Sequence, residues 1–399
     1  MKTGLRTSAQ AAVLLAVHRH SGVTRAQVAA EIGIPSGFAA ETVARLVAAD
    51  LIAERPAPAT GRRGRPTTVL GAHPDGPLVA AAAIGQETWQ VAAVELGGTK
   101  MAATSRAHDG DRDRVLAAVG AGLEQVRERF GPRVRAAAVA VPGTVAGRRL
   151  VLAPGLAWHG VDLSGLWRRD EPGSELVAGN DATLAGVAES RRAPGFSRSG
   201  TMLYLHVADG IGGAVVEAGH AVTGATGAAG EFGHMPFGDP GQRCRCGATG
   251  CWNTSIDGPA LARFLPGSVP GDADGWLRHV LGSAQAGDPG ALSAIHAVGG
   301  SIGRGVAGLV NGLDPHLVVL GGLGPELLRI AADDITAAYQ DGLMAFRAGP
   351  PPPIAAARLG ADGPLLGAAD EAFTQLLTDE GLKAWTARKP AGAGHPEHG

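Results

Sequence analysis

Apolar positions in the first 76 residues recur at helical spacing in three short runs. Val13, Leu14 and Val17 mark the first, over residues 11–18. The second starts at Thr24, with Gln27 three residues on, the spacing of a capping box. It continues through Val28 to Ile32, and Gly33 breaks it. The third covers residues 36–49, with Val43, Leu46 and Val47 facing inward. Two helices joined by a Gly-containing turn predict a helix-turn-helix. Two strand-like runs follow, 51–54 and 67–70, around the loop ATGRRGRP. They predict a hairpin wing with Arg62, Arg63 and Arg65 at its tip. His73-Pro74-Asp75-Gly76-Pro77 marks a domain boundary.

Beyond that boundary, apolar runs alternate with helical stretches. Strands are predicted at 78–84, 89–96, 100–105, 136–141, 202–207, 213–217 and 317–320. Helices are predicted at 111–130, 181–190, 258–264, 291–313 and 364–377. This is an α/β body over residues 77–380. The end, KPAGAGHPEHG, has low complexity, and residues 381–399 are expected to be disordered.

Composition refines this picture. Hydrophobic residues at 45% supply a core, and a net charge of −2 excludes a uniformly basic nucleic-acid coat. The charge is uneven, however. Residues 1–76 hold nine Lys and Arg against five Asp and Glu, a net of +4, which leaves −6 for the remainder. A basic head on an acidic body predicts one module that meets an anion. No apolar run nears the ~20 residues of a membrane helix, and the start lacks a signal-peptide pattern. A soluble cytoplasmic protein without membrane contact is expected.

Three cysteines argue against a disulfide framework. Cys244, Cys246 and Cys251 lie within eight residues, and His234 lies ten residues before the first. Three thiolates and one imidazole make a closed tetrahedral site of the structural Zn2+ type, with no open position for catalysis.

With Gly230-Glu231-Phe232-Gly233-His234 ahead of it, this cluster resembles that of the ROK family of repressors, open reading frames and sugar kinases. Val141-Pro142-Gly143 and Gly179-Asn180-Asp181-Ala182 resemble the family's PG turn and NDA segment. Asp209-Gly210-Ile211-Gly212-Gly213 resembles its second phosphate loop, and Val318-Val319-Leu320-Gly321-Gly322 its adenosine-side loop. The resemblance implies a two-lobed actin/hexokinase-like (ribonuclease H-like) body with a sugar cleft. There Asn180, Asp181, Glu231 and His234 would hydrogen-bond sugar hydroxyls, His234 giving its other ring nitrogen to zinc. Asn253, which stands where the family usually has Glu, belongs to the same ligand set. Gly155 stands where the family often has Asn. Both departures imply an altered pattern of recognised hydroxyls. The fused winged helix-turn-helix marks the family's repressor branch.

Kinase and sugar-sensing regulator are the two readings of such a body. Asp181 occupies the general-base position of a kinase. The same carboxylate can simply bind a hydroxyl, so no catalytic residue is assigned. Leu96-Gly97-Gly98-Thr99-Lys100 looks like a first phosphate loop. The fold, however, needs a strand before that loop and two antiparallel strands after it. Starting at 78–84 satisfies this and makes Gly97-Gly98 a hairpin turn. The first loop is then Ala83-Ile84-Gly85-Gln86-Glu87, with Ala83 replacing the family's magnesium-side Asp and a carboxylate, Glu87, where phosphate would sit. In the second loop, Asp209 replaces the family's hydroxyl donor. Phosphoryl transfer relies on donors and cations, so both loops argue against kinase activity.

On the third helix, Ser36, Gly37, Ala40 and Glu41 are the positions expected to face DNA. None is a bidentate Arg or Gln reader, and Arg45 is expected to meet phosphate. The expectation is a regulator, most simply a repressor, binding an inverted repeat as a homodimer or dimer of dimers. The arginine wing favours A·T-rich minor groove, and a sugar or sugar derivative acts as effector. The alternatives are an active ATP-dependent sugar kinase and a ligand-independent DNA-binding dimer. Replacing Arg62, Arg63 and Arg65 by Ala should weaken DNA binding and lower the salt-dependence slope by about 0.9 for each phosphate no longer neutralised. An unchanged slope in binding isotherms at several salt concentrations would reduce the wing to a linker.

Overall fold

A computed structural model describes residues 8–20, 22–57, 68–167, 176–192, 200–208, 210–265, 276–346 and 349–387. They form two compact units. The first takes in the chain to 139, then 162–178 and the part from 368 on; the second comprises 140–161 and 179–367.

The first unit begins with the head: α1 (Ala9–Arg19), α2 (Arg25–Ile32), α3 (Ser36–Ala48), β1 (Ile52–Pro56) and β2 (Thr68–Ala72). The local signals act as expected. The Thr24 hydroxyl accepts from Gln27 N–H while the Gln27 side chain accepts from Thr24 N–H, so the capping box is formed. Gly33 ends α2 in the left-handed region. Val13, Leu14, Val17, Val28, Val43 and Leu46 are buried. β1 and β2 pair antiparallel as the wing's base; Arg62, Arg63 and Arg65 lie outside the described residues.

Next come β3 (Leu78–Ile84), β4 (Thr88–Glu95), β5 (Lys100–Ala107), α4 (Arg112–Phe130) and β6 (Val134–Val141). β3, β4 and β5 pair antiparallel in succession. With β10 (Leu176–Asn180) they form a five-stranded sheet in the order β10-β6-β3-β4-β5. Every residue of β3 is buried, as expected of a central strand covered on both faces.

The second unit holds a small sheet of β7 (Thr144–Ala146), β8 (Arg149–Ala153) and β9 (Trp158–Asp162). After it come α5 (Asp181–Arg192), β11 (Thr201–Val207), β12 (Ile211–Glu217) and β13 (His220–Ala221). The remaining elements are α6 (Gly258–Ala262), α7 (Trp276–Gln285), α8 (Pro289–Leu313), β14 (Leu317–Gly322), α9 (Gly324–Ile330), α10 (Ala332–Gly342) and β15 (Ile354–Ala356). Its main sheet runs β13-β12-β11-β14-β15. This is the strand order of the first sheet, built outward from its own first strand, so the lobe plan is used twice. Leu203, Leu205, Trp252, Ile295, Ile302 and Val306 are among the buried residues of its core.

The chain ends with α11 (Gly363–Leu376) and α12 (Asp379–Ala387). The disorder expected from residue 381 is therefore corrected as far as Ala387; residues 388–399 lie outside the described residues. The cause is an apolar face within a polar stretch. Leu382 is buried, Trp385 donates its indole N–H to Ala49 O (2.8 Å), and Arg135 lies over its ring. Among the described residues no helix is long and apolar enough to cross a membrane.

A buried imidazole ties the head to this unit. Gly97 N–H, in the β4–β5 turn, donates to His18 Nδ1 at 3.0 Å. The ring proton therefore sits on Nε2, 3.0 Å from Asp370 Oδ1 on α11, and both side chains are 1% exposed. Phe373 packs against the same ring. Removing one partner leaves a buried polar group unpaired, at about 1–3 kcal/mol. Asp370→Ala should therefore raise amide exchange in α1–α3 while α8 stays protected. Equal exchange in both proteins would deny His18 this role.

Candidate functional site

Three features stand out: a polar cavity, a sulfur–imidazole cluster at its edge, and the outer face of α3. The cavity lies in the second unit and encloses about 210 Å³. That is below the ~300–1,000 Å³ of drug-sized sites and on the scale of a monosaccharide. It is lined from the start of α5, the β11–β12 turn, the 227–234 loop and the Gly143-Thr144 turn. Gly143 is obligatory there, since at φ +102° a Cβ would lie 2.1 Å from Leu152 O.

Asn180, Asp181, Glu231, His234 and Asn253 all line this one cavity. Their roles differ. Asn180 donates to Gly143 O (2.9 Å) and Asp181 Oδ1 (3.2 Å) and accepts from Thr183 N–H (2.8 Å). Its amide is spent on shaping the entry to α5 and aiming Asp181. Asn253 Oδ1 accepts from Ile211 N–H (2.8 Å) and fixes the β11–β12 turn. Asp209 lies outside the described residues. Thr144 Oγ1 lies 3.4 Å from Glu231 Oε1.

The sequence reading missed His206, which also lines the cavity. Its Nδ1 is buried and has no hydrogen-bond partner among the described residues. A lone His in the apolar run of β11, just before Asp209-Gly210, was the available signal. Desolvation raises the Asp181 carboxyl above its ordinary value, and the nearby His206 partly opposes this. The described lining holds two carboxylates and two imidazoles, with no Lys or Arg.

His234 joins the cavity to the cluster. Its Nδ1 lies 3.8 Å from Cys244 Sγ, while Cys246 Sγ and Cys251 Sγ are 3.6 Å apart. All four donor atoms lie within 4.8 Å of one another. Around a tetrahedral ion with metal–sulfur bonds of about 2.3 Å, the edges are about 3.8 Å, so the donors fit such an ion. The chain turns tightly enough because Gly247 adopts φ +96°. On the far side of the ring, Nε2 lies 3.8 Å from Glu231 Oε2. Burial, then the neighbouring sulfurs, push the Cys251 thiol up to about 12. Cys246 shifts the other way, lowered chiefly by its hydrogen bond from the Ala248 backbone, so the thiols are unequal, and a cation held among the four donors would favour all three as thiolates.

The register of the first lobe is the expected one. Gly97 and Gly98 form the β4–β5 turn, both at positive φ, and Gly97 is bonded to His18. The β3–β4 turn at Gly85 is strapped from behind: His108 Nε2 lies 3.1 Å from Gly85 O, and His108 N–H donates to Glu87 O at 2.8 Å. On the head, Ser36, Gly37, Glu41 and Arg45 are exposed on α3 and Ala40 is half-buried. Arg45 Nη2 is bonded to Glu41 Oε1 (2.5 Å), so the cation expected at phosphate is paired within its own helix.

The raised Asp181 carboxyl gives a pH prediction. Its contribution to stability is complete below the ordinary carboxylate value and is lost as pH rises through the folded-state value, so the ionised group is a cost at neutral pH. Asn keeps the acceptor that Ala182 N–H uses. Asp181→Asn should therefore raise Tm at pH 7–8 and lose that advantage near pH 4. A lower Tm at pH 7 would contradict the assigned cause.

Comparison with known proteins agrees with this anatomy. Residues 79–374 match the ROK family and residues 4–63 the MarR family. A kanosamine kinase from Amycolatopsis mediterranei is 29% identical over 246 residues, covering 57% of this chain and 78% of the relative. A glucokinase from Streptomyces coelicolor is 26% identical over 317 residues, covering 69% and 95%. A solved ROK family transcriptional regulator, a homologue of the Escherichia coli MLC protein, superposes with a TM-score of 0.70. It is 21% identical and covers 94% of this chain and 98% of its own; at that identity the likeness is one of fold. The matched span takes in most of the chain and every cavity and cluster residue described above. The chain belongs to the ROK family and carries an N-terminal winged helix domain.

Proposed function

We propose that this chain is a cytoplasmic transcriptional regulator, most simply a repressor. Residues 1–76 bind DNA, and residues 77–380 sense an unphosphorylated sugar or sugar derivative. The observation that carries this reading is the winged helix head, whose residues 4–63 match the MarR family, fused to the ROK body. The Gly97-Gly98 segment, phosphate-loop-like in sequence but a hairpin turn in the fold, spends its first glycine amide on His18 of the head. The other candidate loop, at Gly85, is strapped by His108. The carboxylates and the absence of Lys and Arg in the described lining favour a neutral or amino sugar over a sugar phosphate.

Asp181 and Glu231 hold the ligand, His234 adds a ring nitrogen, and Asn180 and Asn253 keep the wall in place. The cluster holds a structural Zn2+ that fixes the His234 ring and so the cavity edge. The ion supplies rigidity here. A homodimer, or a dimer of dimers, presents paired heads to an inverted repeat. Ligand and DNA are coupled only so far as the ligand favours one arrangement of the chain. A sugar kinase is the second reading, favoured by Asp181 at the general-base position and by relatives named as kinases.

Incubation with ATP and a panel of hexoses and amino sugars separates the two. The regulator releases no ADP above the blank, while one sugar raises Tm; binding stabilises by about 2.7 kcal/mol at a hundredfold excess over Kd. Asp181→Ala abolishes that shift. Sugar-dependent ADP release lost in Asp181→Ala would make the chain a kinase. The purified chain should carry about one zinc per chain, and Cys244→Ser or Cys246→Ser should lose it and the sugar-induced shift. Full zinc content in either variant would refute the assignment.

A further inference from the structure

The outer face of α3 carries a residue that the DNA-binding reading has not used. Ala39, Val43 and Leu46 turn inward and are buried, yet Phe38 in the first turn is 47% exposed. Around it the surface is small or self-neutralised. Gly37 has no side chain, Ala40 is half-buried, and Glu41 is bonded to Arg45. No Arg, Lys, Asn or Gln stands in this turn to fork onto a purine edge.

The start of the helix is also open. α1 and α2 are capped by Ser8 and Thr24 side chains, whereas α3 starts at Pro35 with no side-chain cap. The amides of its first turn therefore remain available to a phosphate oxygen. A helix held to the backbone in this way points its first turn at base edges. There an apolar ring has one complementary group, the 5-methyl of thymine.

We propose that Phe38 is a specificity-determining residue that reads thymine in the major groove. Its ring packs on the thymine methyl, and Gly37 and Ala40 allow the close approach. The occupant of this face is duplex DNA, which suits the net +4 of residues 1–76. This inference rests on the DNA-binding reading and goes beyond it by naming the base and the group that reads it.

The test is selection from a random-sequence duplex library by the full chain, using wild type, Phe38→Ala and Phe38→Leu. Each selected duplex is then remade with deoxyuridine at the conserved thymine, which removes only the methyl. Wild type should select a motif with thymine at a fixed position in each half-site. The uracil duplex should bind roughly fourfold more weakly, the effect of one buried methyl-sized group. Phe38→Ala should bind both duplexes alike, and Phe38→Leu should keep part of the preference. Since Phe38 is exposed, the variants should melt as wild type does.

An unchanged motif and thymine-to-uracil ratio in Phe38→Ala overturns the proposal. So does a change in oligomeric state with the motif intact, which assigns the ring to an interface between copies. No motif from wild type is a different failure: it removes the DNA-binding reading itself, and this inference with it.

Discussion

The His18 imidazole fastens the DNA-binding head to the body. It lies in the first helix of the head, yet both ring nitrogens are engaged by the body. Nδ1 takes the Gly97 amide, and Nε2 faces the Asp370 carboxylate. In a low-dielectric site an unpaired polar group is costly, so these elements stay together or the site opens to water. The same bond gives the Gly97-Gly98 turn a structural occupation. One hydrogen bond thus anchors the head on the hairpin turn between β4 and β5.

The second junction is another histidine. His234 offers one nitrogen to the thiol cluster and its other edge to Glu231 and the cavity. A metal ion held there would set the ring's tautomer and orientation, which is how an ion shapes a pocket it does not enter. Asn180 and Asn253 play comparable parts from other walls by spending their polar atoms on backbone groups. The side-chain groups left to read a ligand are carboxylates, imidazoles and the hydroxyls of Thr144 and Thr183. Hydroxyl-rich or amino-bearing sugars suit that set better than anions do.

Much of this is legible in the sequence, for identifiable reasons. The capping box at Thr24 and the break at Gly33 are local signals, and local signals suffice for short helices. The β3–β4–β5 register follows from counting strands, and the structure pairs them in that order. The cysteine spacing announces the cluster because few other arrangements put three thiols and an imidazole so close. The strands of the small sheet, three to five residues each, escape notice because they carry too few alternating positions. α12 is hidden by its polar composition; its packing rests on Leu382 and Trp385, which sequence alone cannot pair with Ala49. His206 reads as one more position in an apolar strand until the fold turns it toward the cavity. Phe38 carries no local signal of exposure, since an aromatic residue in an amphipathic helix normally faces inward.

The central claim is that the head binds DNA and that a sugar in the cavity changes that binding. The most direct test is capture of genomic fragments by the purified full-length chain, sequenced with and without a mixture of unphosphorylated sugars at fixed moderate salt. The expected result is enrichment of an inverted repeat whose yield changes when the sugars are present. No enrichment, or enrichment that ignores every sugar in the mixture, would contradict the claim.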